Sequence, residues 1–330
     1  LTYFLSLLMT DKLQPKVSVI MNVYNGSSFL EDAIQSVLSQ TFTNFEVIVV
    51  NDGSTDQTGQ ILDIHKCNSR VVIVTNPVNK GIAASKNIAI RKSKGEYIAL
   101  MDADDISEPD RLQKQMDYLD SHPDIGVVGA WSRVINDKGE LLSEVMRPES
   151  DSVIVLWMLL RHCAMNQPTI MLRRNLVIQA GGYNEKLSVS EDYEMWTRLA
   201  SITKLSNIPE YLVRYRQHDN NISKLIESNY YHVVTSRKFI KSLLNIDISV
   251  NILLFLRSKT EHHSTNPFVS YFAAYSLLKI YTAFLRKFCL TPTQRVILRN
   301  YLRSNIRSIV IASDYKLLLS PLLIIRYLVY

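Results

Sequence analysis

Three carboxylates, Asp102, Asp104 and Asp105, fall within four residues, directly after the apolar run YIALM at 97–101. Carboxylates this close raise one another's pKa values unless a cation relieves them. Hard oxygen ligands suit Mg2+ or Mn2+, which are usually held by one or two carboxylates together with substrate phosphates. An acidic turn capping the helix that begins near Pro109 explains the same spacing equally well. A second acidic loop, Asn51-Asp52-Gly53-Ser54-Thr55-Asp56, follows another apolar run. Asp52 there could accept hydrogen bonds from a base or a ribose, or could simply close an Asx turn. Further along, Ser190-Glu191-Asp192 opens a helical stretch containing Trp196 and Arg198. Acids at a helix start favour the helix dipole, whereas a general base would have to stand against an acceptor hydroxyl. Gly181-Gly182-Tyr183-Asn184 marks a turn that could shape that acceptor side. His218 is either a metal or phosphate contact or an ordinary strand-end histidine, and a single histidine favours the second reading.

Side chains so far apart in sequence need a frame that gathers them. The runs 17–23, 45–50, 71–75 and 97–101 read as short buried strands, and 29–38, 58–65, 81–91 and 109–119 as helices, the last with proline in its first turn. Such alternation predicts a doubly wound, mostly parallel sheet, in which ligands bind beyond the carboxyl ends of the strands. Three of those ends carry polar groups: 22–25, Asp52, and 102–105. After 125 the pattern becomes mixed, with a hairpin at Asn136-Asp137-Lys138-Gly139 and strands at 169–172 and 212–215. From 222 it reads as helices. Neither GxxxxGK[ST] nor a GxGxxG after the first strand occurs, so P-loop and dinucleotide readings lose their main support.

The 330 residues are 47% hydrophobic and 21% charged, which excludes a disordered, collagen-like or disulfide-rich chain. Cys67, Cys163 and Cys289 lie too far apart for a zinc knuckle or a disulfide framework, and suit a reducing compartment. The formal charge of +6 is unevenly spread. From 222 onward there are 15 bases against 4 acids, a surplus of +11, and the remainder stands at −5. Within that basic region Arg295, Arg299, Arg303 and Arg307 recur every four residues. The stripe suits an anionic membrane surface and, with a comparable claim, the solvated face of a helical subdomain. Nucleic acid is not expected, because no recognised binding module accompanies the charge. Residues 1–9 (LTYFLSLLM) lack the basic flank and cleavage site of a secretory signal, and Met9 is the expected native start. No run reaches the roughly 18–20 apolar residues of a spanning helix; the run 317–325 is interrupted by Pro321.

Several segments together resemble the family 2 glycosyltransferases: VSVIMNVYNG (17–26), SVLSQTFTNFEVIVVNDGSTDQT (36–58), NKGIAASKNIAI (79–90), KGEYIALMDADD (94–105), PDRL (109–112), GGYNEKLSVSEDYEMWTRL (181–199) and YRQHDNNIS (215–223). The resemblance covers about two thirds of the chain, from 16 to 223. It implies a GT-A fold: a Rossmann-like, mostly parallel sheet flanked by helices. The expected organisation is an N-terminal extension at 1–15, a catalytic domain at 16–221 and a basic helical region at 222–330. The catalytic domain would divide into a nucleotide-sugar half (16–124) and an acceptor half (125–221). The implied reaction is inverting transfer from a nucleoside diphosphate sugar, UDP-linked by resemblance, to a saccharide or lipid-linked saccharide.

Carried over by position, Tyr24 and Asp52 would hold the base, and Asp102 and Asp104 would engage ribose and a diphosphate-bound Mn2+ or Mg2+, with Asp105 beside them. Asp192 would be the base and Glu191 its acidic neighbour, with Trp196 and Arg198 on the acceptor side. His218 would be a metal or diphosphate contact. Val23 stands where proline is frequent. Lys86 stands where arginine is frequent near the donor, and lysine cannot reproduce a bidentate guanidinium fork. The alternatives are a sugar-phosphate nucleotidyltransferase, whose phosphate loop is missing, and a catalytically silent membrane-associated scaffold. The expected location is cytoplasmic, at the inner face of a membrane if the basic region docks there.

Overall fold

The computed structural model describes residues 14–219, 221, 227–257 and 267–312. The apolar opening at 1–9, the side chain of Arg307 and the run 317–325 lie outside the described residues. The first half alternates β1 (Val17–Val23), α1 (Leu30–Leu38), β2 (Phe45–Asn51), α2 (Thr58–His65), β3 (Val71–Thr75), α3 (Ile82–Lys92) and β4 (Tyr97–Asp102). There follow β5 (Ile106–Ser107), α4 (Arg111–Ser121), β6 (Ile125–Ile135), β7 (Leu141–Val145), α5 (Asp151–Leu160), β8 (Met171–Arg173), α6 (Arg174–Gln179), α7 (Glu191–Leu199) and β9 (Lys204–Arg216).

One sheet holds all nine strands in the order β3-β2-β1-β4-β8-β6-β9-β5, with β7 paired to β6. The four strands β3, β2, β1 and β4 are mutually parallel. Beyond β4 the sheet is mixed, because β8 runs antiparallel to both β4 and β6 while β9 runs parallel to β6. Strands β1 and β2 are buried almost throughout, as continuous apolar runs must be when helices cover both faces. Val19, Met21, Val47, Val49, Ala99 and Met101 form one core layer with Leu30, Ile34 and Val37 of α1 and Leu112 and Leu119 of α4. Each such side chain stabilises the fold by roughly 1.5–3 kcal/mol relative to exposure. Helix α3 packs on β1 and β2 through Ala83, Ala89 and Ile90.

Three elements differ from the sequence expectation. Helix α4 starts at Arg111, so Pro109 stands ahead of it, in a turn closed by Arg111 N–H to Glu108 O at 3.1 Å. The strand expected at 169–172 is a 3-10 turn, Gln167–Thr169, followed by β8; Pro168 sits in its first turn, where its missing N–H costs nothing. The strand expected at 212–215 is the end of the 13-residue β9. Pro209 cannot donate to the ladder, and the register jumps there from Ala130↔Ile208 to Trp131↔Tyr211. The hairpin at 136–139 joins β6 to β7, with Asn136 N–H donating to Glu140 O at 3.0 Å.

The described residues fall into two compact units. One runs to Glu149 and resumes at Met165 as far as β9 and the loop after it; the other takes Ser150–Ala164 and everything described from 227 on. The second unit is helical: α5, α8 (Glu227–Leu244), α9 (Val250–Arg257), α10 (Pro267–Lys287) and α11 (Pro292–Ala312). Sequence reading left α5 unassigned. It buries Ile154, Val155, Leu156, Met158, Leu159 and Leu160, which marks it as an interior helix of its unit. In α11, Leu298, Leu302 and Ile306 are buried while Arg295 and Arg299 face solvent beside exposed Val296 and Ile297. Among the described residues no helix is long and apolar enough to cross a membrane.

Candidate active site

The parallel register sets Asn22 beside Asp102 at the carboxyl ends of β1 and β4. Asp102 accepts no side-chain hydrogen bond among the described residues. Burial pushes its carboxyl up to about 6, with Lys86 opposing the rise and Asp104 adding to it. Asp105 is fully buried. Burial first, then Asp104 and Asp102, raise its carboxyl well above the ordinary range. Its Oδ1 accepts the Arg216 backbone N–H at 2.7 Å, and its Oδ2 has no partner. Asp104 Oδ2 lies 2.9 Å from His218 Nε2 and 3.5 Å from Asn221 Nδ2. Helix α4 has no side-chain cap, so capping does not account for the acidic cluster.

Beneath the cluster, Arg111 donates to Leu100 O at 2.7 Å, Ile170 O at 3.3 Å and Gln115 Oε1 at 2.9 Å. Burial lowers the Arg111 pKa to about 10 against the pull of Asp105 and Asp102. Among the described residues no three Asp, Glu, His or Cys side chains converge as a complete cation cage. The donor set nevertheless suits a hard divalent ion. Carboxylates on the loop after β4 meet an imidazole from the segment after β9, a buried carboxylate oxygen lacks a partner, and substrate phosphates commonly complete such a shell.

The loop after β2 is built differently. Asp52 is 3% exposed. Its Oδ1 accepts Asn76 Nδ2 at 2.7 Å and Lys80 N–H at 2.9 Å, and its Oδ2 accepts Gly81 N–H at 2.9 Å. Those bonds fix the entry to α3. Gly53 has φ 74°, and a Cβ there would stand 2.6 Å from the Val78 carbonyl carbon. Asp56 accepts Thr58 N–H and Ser27 N–H, each at 3.0 Å. Burial works against its charge, yet hydrogen bonds from Thr58 and Ser27 hold its carboxyl at about 2. Tyr24 is half exposed at the rim. Its neighbour Asn25 is fastened to the β2 loop by Thr55 N–H at 2.8 Å and Ser54 Oγ at 2.9 Å.

The start of α7 faces this rim. Lys86, in the middle of α3, is 5% exposed. Its Nζ donates to Glu191 Oε1 at 3.0 Å and lies 5.3 Å from the Tyr183 ring centre. Burial acts to lower its pKa, but Glu191 and Asp102 outweigh that and hold it above the ordinary value. Asp192 is partly buried and accepts Tyr193 N–H at 2.6 Å. Burial and then Glu191 push its carboxyl up to about 7, with Lys86 opposing.

The turn before α7 is held from two sides. Asn87 accepts Tyr183 N–H at 2.7 Å and donates to Tyr183 O at 2.9 Å. Arg198 donates to Glu194 at 2.9 and 2.8 Å, to Gly182 O at 2.8 Å and to Ala180 O. Gly182 has φ 74°, and a Cβ there would stand 2.6 Å from Asn87 Oδ1.

The structure therefore gathers Lys86, Asp102, Glu191 and Asp192 into one electrostatically linked group, with Asp104 and Asp105 on the loop after β4 and His218, from the segment after β9, paired to Asp104. Trp196 is fully buried with its Nε1 unpartnered, and Arg198 is occupied by the turn. Both support α7 from behind rather than offering it an open face. Sequence reading missed Asn87, Arg111 and Arg216 as parts of the site. No local pattern marks them: Asn87 follows Lys86, Arg111 follows Asp110 and Arg216 precedes Gln217.

Residues 18–173 match the family model described as Glycosyl transferase family 2. An uncharacterized glycosyltransferase of Haemophilus influenzae is 34% identical over 251 residues, spanning 72% of this chain and 77% of its own. The O-antigen biosynthesis glycosyltransferase WbnJ of Escherichia coli is 30% identical over 239 residues, 71% of this chain and 92% of its own. Among solved structures, S. aureus TarS 1-349 in complex with UDP-GlcNAc is similar with a TM-score of 0.60 at 20% identity, covering 89% of this chain and 90% of that one. Mannosyltransferase PcManGT from Pyrobaculum calidifontis, in complex with GDP-Man and Mn2+, gives 0.54 at 17% identity, covering 94% and 89%. The chain belongs to glycosyltransferase family 2, and its sheet with flanking helices is GT-A-like.

Proposed function

We propose that this glycosyltransferase moves a sugar from a nucleoside diphosphate, UDP by preference, to a hydroxyl of a saccharide or lipid-linked saccharide, with inversion at the anomeric carbon. The observation that carries the reading is Asp192: a partly buried carboxylate at a helix start, next to the buried Lys86–Glu191 pair and pushed to about 7 by burial and by Glu191. A pKa near 7 suits a general base at neutral pH. Asp192 takes the proton of the acceptor hydroxyl, whose oxygen bonds to the anomeric carbon. The bond from that carbon to the diphosphate oxygen breaks on the opposite side, and the nucleoside diphosphate leaves with the electron pair. One carboxylate is enough, unlike the paired carboxylates of glycosidases.

Asp102, Asp104 and His218 would hold Mn2+ or Mg2+, which as a Lewis acid offsets charge on the leaving diphosphate. Tyr24 and Asp52 stand at the two loops where the base would lie. Lys86 serves the donor side indirectly: its charge is spent on Glu191, and through it on the setting of Asp192. A UDP donor is supported by the TarS complex, and a polysaccharide acceptor by the WbnJ relative. A lipid-linked acceptor suits the exposed Arg295 and Arg299 flanked by Val296 and Ile297, which would meet an anionic membrane from the cytoplasmic side. Co-sedimentation with anionic vesicles at low salt tests that surface, and no binding would dismiss it.

The deciding experiment screens UDP- and GDP-sugars with Mn2+ for release of nucleoside diphosphate. Release from one donor, lost in Asp104→Ala together with donor binding by calorimetry, is the expected result. Pyrophosphate release from a nucleoside triphosphate and a sugar phosphate, without nucleoside diphosphate release from any sugar donor, would instead establish a nucleotidyltransferase.

A further inference from the structure

Arg216 closes β9 and is 3% exposed, yet none of the roles above uses it. An arginine is rarely buried unless its donors are matched, and here they are distributed over three segments. Its backbone N–H donates to Asp105 Oδ1 at 2.7 Å, and its Nε donates to Asp104 O at 2.9 Å. Nη1 donates to Asp137 O at 2.9 Å, in the β6–β7 turn. Nη2 lies 3.6 Å from Asp32 Oδ2 of α1. The guanidinium stacks on the Phe29 ring at 4.6 Å, and that ring lies 5.2 Å from the ring of His218. The Arg216 carbonyl accepts Asn221 Nδ2 at 3.2 Å, while Asn221 Oδ1 accepts His218 N–H at 2.5 Å.

Both members of the Asp104–His218 pair are therefore held by groups that Arg216 organises. The backbone of Asp104 is bonded directly to the guanidinium. The loop carrying His218 is bonded through Asn221 and packed against the same phenyl ring. Lysine would preserve the charge but not the planar fork that serves the Asp104 and Asp137 carbonyls and the Asp32 carboxylate at once.

We propose that Arg216 is a positioning residue for cation binding: it fixes His218 against Asp104 so that the two present a preformed edge to a divalent ion. The inference rests on the assignment of Asp104 and His218 to the cation. Partners behind metal ligands typically change metal affinity by 10–100-fold.

The test is a double-mutant cycle on the full chain, with Mn2+ affinity in the presence of UDP read by electron paramagnetic resonance, and folding checked by circular dichroism. Arg216→Lys is expected to weaken Mn2+ binding at least tenfold with the fold intact. Combined with His218→Ala it should add almost nothing to the loss caused by His218→Ala alone, because both act on one pair. Unchanged Mn2+ affinity in Arg216→Lys, or losses that multiply in the double variant, would overturn the proposal. Should Arg216→Lys not fold, Phe29→Leu takes its place in the cycle with the same two outcomes. If His218→Ala binds Mn2+ normally while Asp104→Ala does not, the cation site stands and the positioning role falls. If the parent chain with UDP binds no Mn2+, the cation assignment itself falls, and this inference with it.

Discussion

The carboxylates after β2 and those gathered around Lys86 belong to the same kind of place, the carboxyl end of a parallel sheet, but their bonding is opposite. Asp52 and Asp56 are saturated by their own chain: five hydrogen bonds reach them from Asn76, Lys80, Gly81, Thr58 and Ser27, and Asp56 is held at about 2. Asp102, Asp105 and Asp192 receive little. One has no side-chain hydrogen bond, one keeps a buried oxygen unpartnered, and burial raises all three. A carboxylate satisfied by backbone N–H groups organises a loop. One left short of donors in low dielectric stores unfavourable charge that a ligand, a cation or a proton can relieve. The difference separates carboxylates whose bonding is complete within the chain from those of identical type whose bonding is not.

The two groups of carboxylates should respond oppositely to substitution. The largest effect is expected for Asp192→Asn, which should lower kcat by about 10²–10⁴-fold, the usual contribution of a general base, with the donor KM nearly unchanged. Near-normal turnover would remove Asp192 from the chemistry. Next comes Lys86→Met. It leaves Glu191 buried without its partner, so the unfolding free energy should fall by roughly 3–5 kcal/mol. Adding Glu191→Gln should restore part of it, and a denaturant titration that shows no recovery would mean that the pair is not the reason.

The third prediction concerns pH. The Asp192 carboxyl is raised, and only its charged form can accept a proton. At saturating donor, turnover should therefore fall tenfold per pH unit below about 7. A flat profile between pH 5 and 7 would contradict the assignment. The smallest effect belongs to the other loop: Asp56→Ala removes a cap-like carboxylate and should cost about 1 kcal/mol of stability with turnover unchanged. A large loss of turnover there would erase the distinction between the two groups.

The frame was legible because its strands are short, β-branched apolar runs: 17–23, 45–50 and 71–75 read as strands within a residue of their observed ends. The polar strand ends were equally plain, since carboxylates after apolar runs stand out. What remained hidden was tertiary. Pro209 disguised a 13-residue strand by interrupting its ladder without ending it. Helix α5 shows little amphipathic pattern because it is buried nearly all round. Lys86 read as a donor contact, and only packing reveals Glu191 against it, 105 positions away in sequence. Asn87, Arg111 and Arg216 were invisible for a similar reason: their partners are mostly backbone carbonyls or distant loops, which carry no sequence signature.

The ion pair between Lys86 and Glu191 limits how the molecule can be recombined. It couples α3 to the first residue of α7, next to Asp192, and both charges are nearly inaccessible. A chimaera that grafts residues 125–221 from a relative onto this chain would place a foreign side chain opposite Lys86. If that residue is not an acid, the graft inherits a stranded ammonium beside position 192. Positions 86 and 191 are thus a single unit of exchange, and a segment carrying α7 can be transplanted into this scaffold only with both of them.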